Sequence, residues 1–360
     1  MNHDGWRDAR HVLAIRLDSL GDVLMCSPAM RAIKQSNERR SLTLLTSASG
    51  AAGADHVPEI DAVLRYDAPW MKPPSGGLPH DLRIIEAMRA ERFDAAVIFT
   101  SYSQSPLPAA MLCRLAGIPL TLAHCRENAY HLISHRVADV EPELMVRHEV
   151  QRQLDLVASV GWQAFDSSLS FRVPQAAALR AHTLLVSHGI FPHTDFLVLH
   201  PGASAPSRRY PMQQWVEVAD HLYERLQLPI VLTGDRGERE LVELIAARCR
   251  ATVIVLAGEL SLSELGAVIQ MARVMVSNNT GPAHMAAALC TPIVSLYALT
   301  NPQHTPWQVP SRVLYHDVPC RLCYKSVCPE GHQHCLVKVT PARIVAAVED
   351  LLNLHHLSRL

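Results

Sequence analysis

Short aliphatic runs alternate with helix-length amphipathic segments along most of this chain, and no other feature limits its fold as strongly. Such alternation favours parallel sheets with helices packed on both faces. The series begins near His11 and begins again near Phe196, so we expect an α/β protein with two doubly wound domains. The runs with strand character are His11–Ile15, Leu42–Leu45, Ala95–Phe99, Phe196–Leu199, Ile230–Leu232, Thr252–Leu256, Val274–Val276 and Ile293–Leu296.

The length of 360 residues also indicates two domains, because a single domain usually has about 100–200 residues. We predict a first domain over residues 1–172 and a second over residues 195–340. Residues 173–194 hold a proline, a predicted helix and a Gly-Ile-Phe-Pro turn, and are expected to connect the two. A Thr-Pro pair is typical of a helix start, so residues 341–360 are predicted to form a closing helix.

Bulk composition excludes several classes of protein. Hydrophobic residues make up 49% and charged residues 19%, which indicates a globular protein rather than a disordered one. The net charge of −1 excludes nucleic-acid binding driven by overall charge. The chain has neither a long apolar run nor an apolar signal core at its N-terminus. We therefore expect a cytoplasmic protein with at most peripheral contact to the inner membrane face.

The first strand is followed by Gly21 and Asp22 at the start of a predicted helix. The amides and dipole of a helix N-terminus attract anions, and a carboxylate there can take a proton from a hydroxyl group. Asp18 or Asp22 could instead simply cap the helix. Farther along, His148 and Glu149 begin another predicted helix, where capping or solvation is the simpler interpretation.

In the second domain, basic residues follow the first strand and an acidic residue follows the second. Arg208 and Arg209 could neutralise a diphosphate, because guanidinium groups match phosphate oxygens; solvated side chains are the alternative. Glu238 follows a strand–Gly–Asp junction, where an acid commonly binds ribose hydroxyl groups. Capping of the next helix by Asp235 or Glu238 explains the same pattern equally well.

The most informative segment is Ser277–His284, which reads Ser-Asn-Asn-Thr-Gly-Pro-Ala-His and follows an apolar strand. Gly281 permits a tight turn, and a proline suits the first turn of the next helix. Free amides near Thr280 and Gly281 would point at an anion, with His284 one turn into the helix. A purely structural turn would need the glycine and proline but not the whole run.

Together these four junctions resemble glycosyltransferase family 9, which contains the ADP-heptose:lipopolysaccharide heptosyltransferases. The resemblance extends from about residue 11 to residue 350. It implies the GT-B architecture of two facing Rossmann-like domains, and sugar transfer with inversion and without a catalytic metal. It also implies a nucleotide-sugar donor, such as ADP-heptose, and a lipopolysaccharide-core or other glycan acceptor. Residues that bind the acceptor remain unassigned.

The family pattern also implies roles for single residues. Asp22 matches the acid of the Gly-Asp-Val-Leu motif and would be the general base. Arg208 lies where the family has a basic residue, usually lysine, that contacts the donor phosphates. Glu238 matches the acid near the ribose. Thr280, Gly281 and His284 match the diphosphate-binding turn and helix.

One position departs from the family pattern. Many heptosyltransferases have aspartate in contact with the donor sugar where this chain has Asn279. An amide keeps hydrogen-bonding capacity and loses the charge. The departure therefore leaves the donor site in place and the identity of the sugar open.

Four clustered cysteines, Cys320, Cys323, Cys328 and Cys335, provide enough soft ligands for a structural zinc ion. The first pair has Cys-x2-Cys spacing, and the second pair is spaced more widely than in a zinc ribbon. Disulfides and packed thiols are the alternatives. Two other functions remain open at this point: a nucleotide-sugar epimerase or hydrolase on the same scaffold, and a non-catalytic assembly protein linked by metal.

Overall fold

The computed structural model describes residues 4–71 and 77–357. The chain divides into two compact units, Met1–Ser170 and Phe171–Leu360. Each unit contains one six-stranded sheet whose neighbouring strands are all parallel. The predicted α/β fold class with parallel sheets is therefore confirmed.

The first unit alternates strands and helices around its sheet, whose strand order is β3-β2-β1-β4-β5-β6. The buried side chains of the central strands form an aliphatic core with the covering helices. Its strands are β1 His11–Arg16, β2 Ser41–Thr46, β3 Ala62–Arg65, β4 Ala95–Ile98, β5 Leu120–Cys125 and β6 His135–Ala138. Its helices are α1 Asp4–Asp8, α2 Leu20–Gln35, α3 Ala48–Ala54, α4 Gly77–Glu91, α5 Leu107–Ala116 and α6 Glu149–Ala158.

The second unit repeats this order, as β12-β11-β10-β7-β8-β9. Trp215 of α8 is fully buried in its core, against the aliphatic side chains of the sheet and of α13. Its strands are β7 Leu197–His200, β8 Ile230–Leu232, β9 Val253–Val255, β10 Val274–Asn278, β11 Ile293–Leu296 and β12 Ser311–Leu314. Its helices are α7 Gln175–Ser187, α8 Met212–Leu226, α9 Arg239–Ala246, α10 Leu262–Met271, α11 Gly281–Ala288, α12 His334–Val337 and α13 Pro341–Leu357.

The segment 173–194, expected to be a connection, is part of the second unit. Its helix α7 packs against α10, where Arg180 forms an ion pair with Glu264 at 2.7 Å. The ring of Phe171 lies so close to Gly266 that a Cβ there would be only 2.5 Å from it. The segment is thus held to the second sheet by side-chain packing. The predicted closing helix is seen as α13, up to the end of the described residues.

All eight predicted strands are present within a residue or two of their expected limits. Four further strands, β3, β5, β6 and β12, were not predicted. Three of them have alternating or only partial burial because they lie at or beside sheet edges. None of the described helices is long and apolar enough to cross a membrane.

Candidate functional site

Three carboxyl groups surround one buried guanidinium at the carboxyl ends of the strands of the first sheet. We call this place the first edge, and the carboxyl ends of the strands of the second sheet the second edge. Arg16 is the last residue of β1 and is only 1% exposed. Its Nη2 donates to Asp22 Oδ1 at 3.1 Å and its Nη1 donates to Glu149 Oε1 at 2.6 Å, while its Nε lies 2.8 Å from Asp18 Oδ2. A buried arginine needs such partners, because an unpaired charge in the interior is very costly.

Asp22, the predicted base, lies in the first turn of α2 and also caps that helix. Its Oδ2 accepts hydrogen bonds from the backbone N–H of Ser19 at 3.1 Å and from the Ser19 hydroxyl at 2.8 Å. The capping interpretation of Asp22 is therefore confirmed. The side chain is nevertheless 17% exposed, so the carboxylate can meet a ligand while Arg16 and Ser19 fix its orientation.

Asp18, the other acid considered as a possible cap of this helix, is the second carboxyl group at this edge and pairs with Arg16. Gln104 Nε2 donates to its Oδ1 at 2.7 Å. Burial raises the pKa of Asp18 and the charge of Asp22 adds to this, against the opposing effect of Arg16. The pKa of Arg16 is in turn raised well above its usual value: burial lowers it, but the nearby carboxylates outweigh that effect.

Behind this edge lies a second buried guanidinium. Arg152 is 1% exposed, pairs with Asp139 at 2.8 Å and with Glu141, and donates from Nε to the carbonyl oxygen of Thr100 at 3.0 Å. Arg147 also pairs with Glu141, at 3.0 Å. Burial raises the pKa of Glu141, but hydrogen bonds from Arg147 and Arg152 outweigh burial and lower it.

The two residues at the start of α6, His148 and Glu149, have different roles. His148 caps the helix, because its Nδ1 accepts from the backbone N–H of Val150 at 3.2 Å. Glu149 is completely buried against Arg16, and Gln153 also donates to it at 2.8 Å. Solvation of Glu149 was therefore the wrong expectation. The pairing joins residues 133 positions apart, and the only sequence signal for it is an arginine ending a buried strand.

In the second sheet, β7 and β10 are neighbours at the point where the strand order reverses. Ligands of open α/β sheets bind at such a point, beyond the carboxyl ends of the strands. Fully buried Asn278 joins the two exits: its Nδ2 donates to the carbonyl oxygen of Pro201 at 2.7 Å, and its Oδ1 accepts from the N–H of Tyr210 at 3.2 Å. This amide fixes the loop 201–210 against the end of β10.

Helix α11 begins directly after β10, at Gly281. Thr280 is its N-cap residue in an extended conformation, and its side chain makes no capping hydrogen bond. Pro282 stands in the first turn, where its missing N–H removes no helical bond. His284 is buried one turn farther on. The start of α11 thus presents backbone amides at the reversal point, as the sequence predicted.

Arg208 lies on the loop after β7, in a short 3-10 turn, and is half-buried. Among residues 4–71 and 77–357, no carboxylate pairs with its guanidinium. Burial raises the pKa of the Tyr297 phenol, and the positive charge of Arg208 opposes part of that rise. A half-buried cation without an anionic partner is suited to an anionic ligand.

Glu238, predicted near a ribose, is the N-cap residue of α9. Its Oε2 accepts from the N–H of Asp235 at 2.9 Å, and burial raises its pKa. The carboxylate lies against Gly202, where a Cβ would be 2.0 Å from it, so any other residue there would displace the carboxylate. His200 lies 3.7 Å from Glu238, but burial lowers its pKa to about 4, so the contact is not an ion pair at neutral pH.

Asn279 occupies the position where the family often has aspartate. Its Oδ1 accepts from the backbone N–H of Ala298 at 3.2 Å, and the residue is only 4% exposed. The side chain thereby links the end of β10 to the loop after β11. Contact with a donor sugar would have to involve the amide nitrogen.

The four clustered cysteines line one small cavity together with His332. Their thiols are free. In the part of the chain that the structure describes, no three His, Cys, Asp or Glu side chains are arranged to hold a metal ion. The structural zinc ion stays a prediction, which elemental analysis decides: less than about a tenth of an ion per chain would exclude it.

The cysteine-rich segment 320–335 also supports the loop that carries Arg208. The Ser207 hydroxyl donates to the carbonyl oxygen of Lys325 at 2.8 Å, and its N–H donates to that of Ser326 at 2.9 Å. Gln333 Nε2 donates to the carbonyl oxygen of Pro206 at 2.6 Å. Whatever its metal content, this segment therefore fixes the backbone on which Arg208 lies.

Known glycosyltransferases are similar to this chain over most of its length. The model of glycosyltransferase family 9 (heptosyltransferase) matches residues 82–334. Lipopolysaccharide heptosyltransferase 3 of Escherichia coli is 24% identical over 351 residues, which cover 92% of this chain and 96% of that protein. Lipopolysaccharide heptosyltransferase 1 of Pseudomonas aeruginosa is 28% identical over 269 residues, covering 69% and 72%.

Solved structures show the same fold. The family 9 glycosyltransferase of Veillonella parvula superimposes with a TM-score of 0.79 at 20% identity, covering 96% of this chain and 97% of that one. The ADP-heptose lipopolysaccharide heptosyltransferase II of Escherichia coli gives a TM-score of 0.74 at 21% identity, covering 96% and 99%. Because the family model matches more than half of the chain, this protein belongs to glycosyltransferase family 9, the heptosyltransferase family, and is a glycosyltransferase.

Proposed function

We propose that this protein moves a heptose or a related sugar from ADP-heptose, or another nucleotide sugar, to a lipopolysaccharide-core or similar glycan acceptor. Its relatives are named lipopolysaccharide heptosyltransferases, which supports both the donor and the acceptor class. Transfer is proposed to invert the anomeric carbon and to need no catalytic metal. Family membership sets aside the alternative of a non-catalytic assembly protein.

The observation that carries this proposal is the exit edge of the second sheet. There the uncapped start of α11 at Thr280 and Gly281 follows β10, and the loop after the neighbouring β7 carries Arg208. Backbone amides at a helix start and a guanidinium without a carboxylate partner are the groups that bind a diphosphate. Glu238, beside the same loop, is then available to the ribose.

The chemistry follows from these roles. Asp22 takes the proton of the acceptor hydroxyl as its oxygen forms a bond to C1 of the donor sugar. The bond between C1 and the phosphate oxygen breaks, and the nucleoside diphosphate leaves with the bonding electrons. Arg208 and the amides of α11 stabilise the charge that grows on the leaving group. Attack from the face opposite the leaving group produces inversion.

Donor binding is tested with a thermal-shift panel of ADP-, UDP- and GDP-sugars. A donor at 100 times its Kd stabilises the fold by about 2.7 kcal/mol. We expect one nucleotide class to give this shift, and Arg208→Ala to reduce it. Arg225→Ala is the matched control, because Arg225 is exposed and pairs only with Glu349 on the surface. If no nucleotide sugar stabilises the chain, the donor site is wrong.

Transfer is then measured with the donor so identified and a deacylated lipopolysaccharide-core acceptor. EDTA is expected to leave the rate within twofold of its starting value, and loss of activity restored by Mg²⁺ would contradict the metal-independent chemistry. Hydrolysis or epimerisation of the donor without acceptor would favour the epimerase or hydrolase alternative. We further propose that the enzyme acts at the cytoplasmic face of the inner membrane through peripheral contact, which cell fractionation tests.

A further inference from the structure

A second cavity, within the first unit, lies beside the Arg16 cluster. It has a volume of about 280 Å³ and opens between the loop after β1, the loop after β4 and the segment that carries Trp70. Leu17, Ile98 and Phe99 give it a buried apolar floor. Sites for drug-sized ligands usually measure about 300–1,000 Å³. The cavity is therefore suited to a single sugar ring rather than to an extended chain.

One wall of the cavity is an indole ring held in place from behind. Trp70 is 37% exposed, and its ring meets the buried Tyr66 edge-on, with centroids 5.8 Å apart. The Tyr66 hydroxyl donates to Asp81 Oδ1 at 2.9 Å, which fixes the supporting ring. An aromatic face offers large apolar area at low entropic cost, and the C–H face of a pyranose is its natural complement.

The polar side of the cavity is also fixed before any ligand arrives. Asp18 lines it, held by Gln104 Nε2, while Gln104 Oε1 accepts from the N–H of Ser101 at 3.0 Å. Thr100 lines it too, and its buried hydroxyl has no hydrogen-bond partner among the described residues. Buried polar groups are normally satisfied. A hydroxyl group of a ligand would satisfy this one.

The charge of the cavity limits which ligand it accepts. Its described lining contains the carboxyl group of Asp18 and no lysine, arginine or histidine. The guanidinium of Arg16 is buried behind it and is shared with Asp22 and Glu149. Among the described lining residues, a carboxylate or phosphate on the ligand would therefore meet the charge of Asp18 and no compensating cation.

We infer that this cavity is the subsite for the acceptor sugar and that it selects a neutral pyranose over sugar acids and sugar phosphates. The inference rests on the proposed function, because it assigns the acceptor side of that reaction. Asp18 and Asp22 contact the same guanidinium, so a sugar in the cavity lies beside the carboxylate assigned as the base. Trp70 and Thr100 position the ring, and Asp18 excludes anions.

The test uses matched sugar pairs and the full chain without donor. Methyl α-glucoside and methyl α-mannoside are each compared with the 6-carboxylate of the same glycoside, and binding is measured by saturation-transfer NMR. We expect at least one neutral glycoside to bind and its carboxylate to bind at least tenfold more weakly. Trp70→Ala abolishes the signal, whereas Phe165→Ala, which removes a fully exposed aromatic ring of the same unit, preserves it.

Asp18→Asn keeps the shape of the side chain and removes its charge. It is therefore expected to reduce the difference in affinity between a neutral glycoside and its 6-carboxylate. Equal binding of glycoside and carboxylate by the unmodified protein would overturn the inference, as would binding of neither, or identical behaviour of Trp70→Ala and Phe165→Ala. The proposed function can fail independently of this inference. If the chain binds a glycoside but transfers no sugar, the proposed transfer is contradicted and the subsite is not. If the chain transfers a sugar efficiently to an anionic acceptor, the subsite is contradicted and the transfer is not.

Discussion

The two sheets have the same strand order, but the chemistry at their carboxyl edges differs. At the first edge, buried Arg16 and Arg152 are surrounded by carboxylates. At the second, the neutral amides of Asn278 and Asn279 hold the loops, and Arg208 has no carboxylate partner among the described residues. One fold therefore supports an edge rich in anions and another that offers a cation and a helix start without a side-chain cap.

This difference matches what each edge has to do in glycosyl transfer. A base needs a carboxylate with fixed orientation, and ion pairs to a buried guanidinium supply that orientation. A diphosphate needs unpaired donors, and any carboxylate placed beside Arg208 would compete with it. Neutral amides can fix loops without such competition. Single substitutions at each edge test this difference.

The largest expected effect is at Asp22. Asp22→Asn keeps the shape of the side chain and its contact with Ser19 but removes the ability to take a proton. We expect the transfer rate to fall by about 10²–10⁴, with donor affinity unchanged in a calorimetric titration. Asp317→Asn, at an exposed position where the carboxylate pairs with Arg321 and accepts from the N–H of Val318, serves as control. A parallel loss of donor affinity would count against the assignment of Asp22 as the base.

Next in size is the loss of a buried charge behind the first edge. Arg152→Met leaves Asp139 and Glu141 buried without their main partner, which typically costs about 3–5 kcal/mol. The same substitution at Arg180 of the second unit breaks an exposed pair with Glu264 and should cost about 0–1 kcal/mol. Urea unfolding measures both, and similar losses for the two variants would contradict the ionic character assigned to the first edge.

At the second edge, a single substitution is expected to cost less stability. Asn278→Ala leaves the carbonyl oxygen of Pro201 and the N–H of Tyr210 without their buried partner, at a cost of about 1–3 kcal/mol. Because the loop with Arg208 is then held less firmly, donor affinity should fall as well. Asn353→Ala, on the exposed side of α13, is the control. Unchanged donor affinity would show that Arg208 is positioned by other contacts, such as those of Ser207.

The second edge could be predicted from the sequence far better than the first. Thr280, Gly281 and Arg208 lie in short motifs directly after strands, where local pattern fixes position. The Arg16–Glu149 pair joins distant parts of the chain, and nothing near either residue indicates the other. Asp22 was found because its motif is local. Glu149 could be linked to Arg16 only once α6 and β1 were placed together.

Helix α2 shows a second limit of local pattern. It begins at Leu20, close to the start expected at Gly21 and Asp22, and continues through Pro28 to Gln35. Pro28 lies inside the helix and has no N–H for the carbonyl oxygen of Leu24. The Ser27 hydroxyl donates to that oxygen instead, at 2.6 Å. A proline that normally ends a helix is thus tolerated because a neighbouring side chain replaces the missing bond.

The last comparison concerns two carboxyl groups whose pKa values shift in opposite directions. The folded-state pKa of Glu141 is lowered, so its ion pairs stabilise the fold above the unfolded-state pKa and are lost as pH falls through the lower folded-state value. The pKa of Glu238 is raised by burial, so its ionised form costs stability above that higher value, and the cost disappears as pH falls.

Two conservative variants test these signs by urea unfolding at pH 7 and pH 4. Glu141→Gln should destabilise at pH 7 by about 1.5–3 kcal/mol, because charged hydrogen bonds are lost, and by less at pH 4. Glu238→Gln keeps an acceptor for the N–H of Asp235 and should be slightly more stable than the unmodified protein at pH 7, with the gain shrinking at pH 4. Stabilisation by both variants at pH 7 would mean that burial governs both carboxyl groups, and destabilisation by both would mean that pairing governs both. In either case the contrast between the two edges would rest on Arg208 alone.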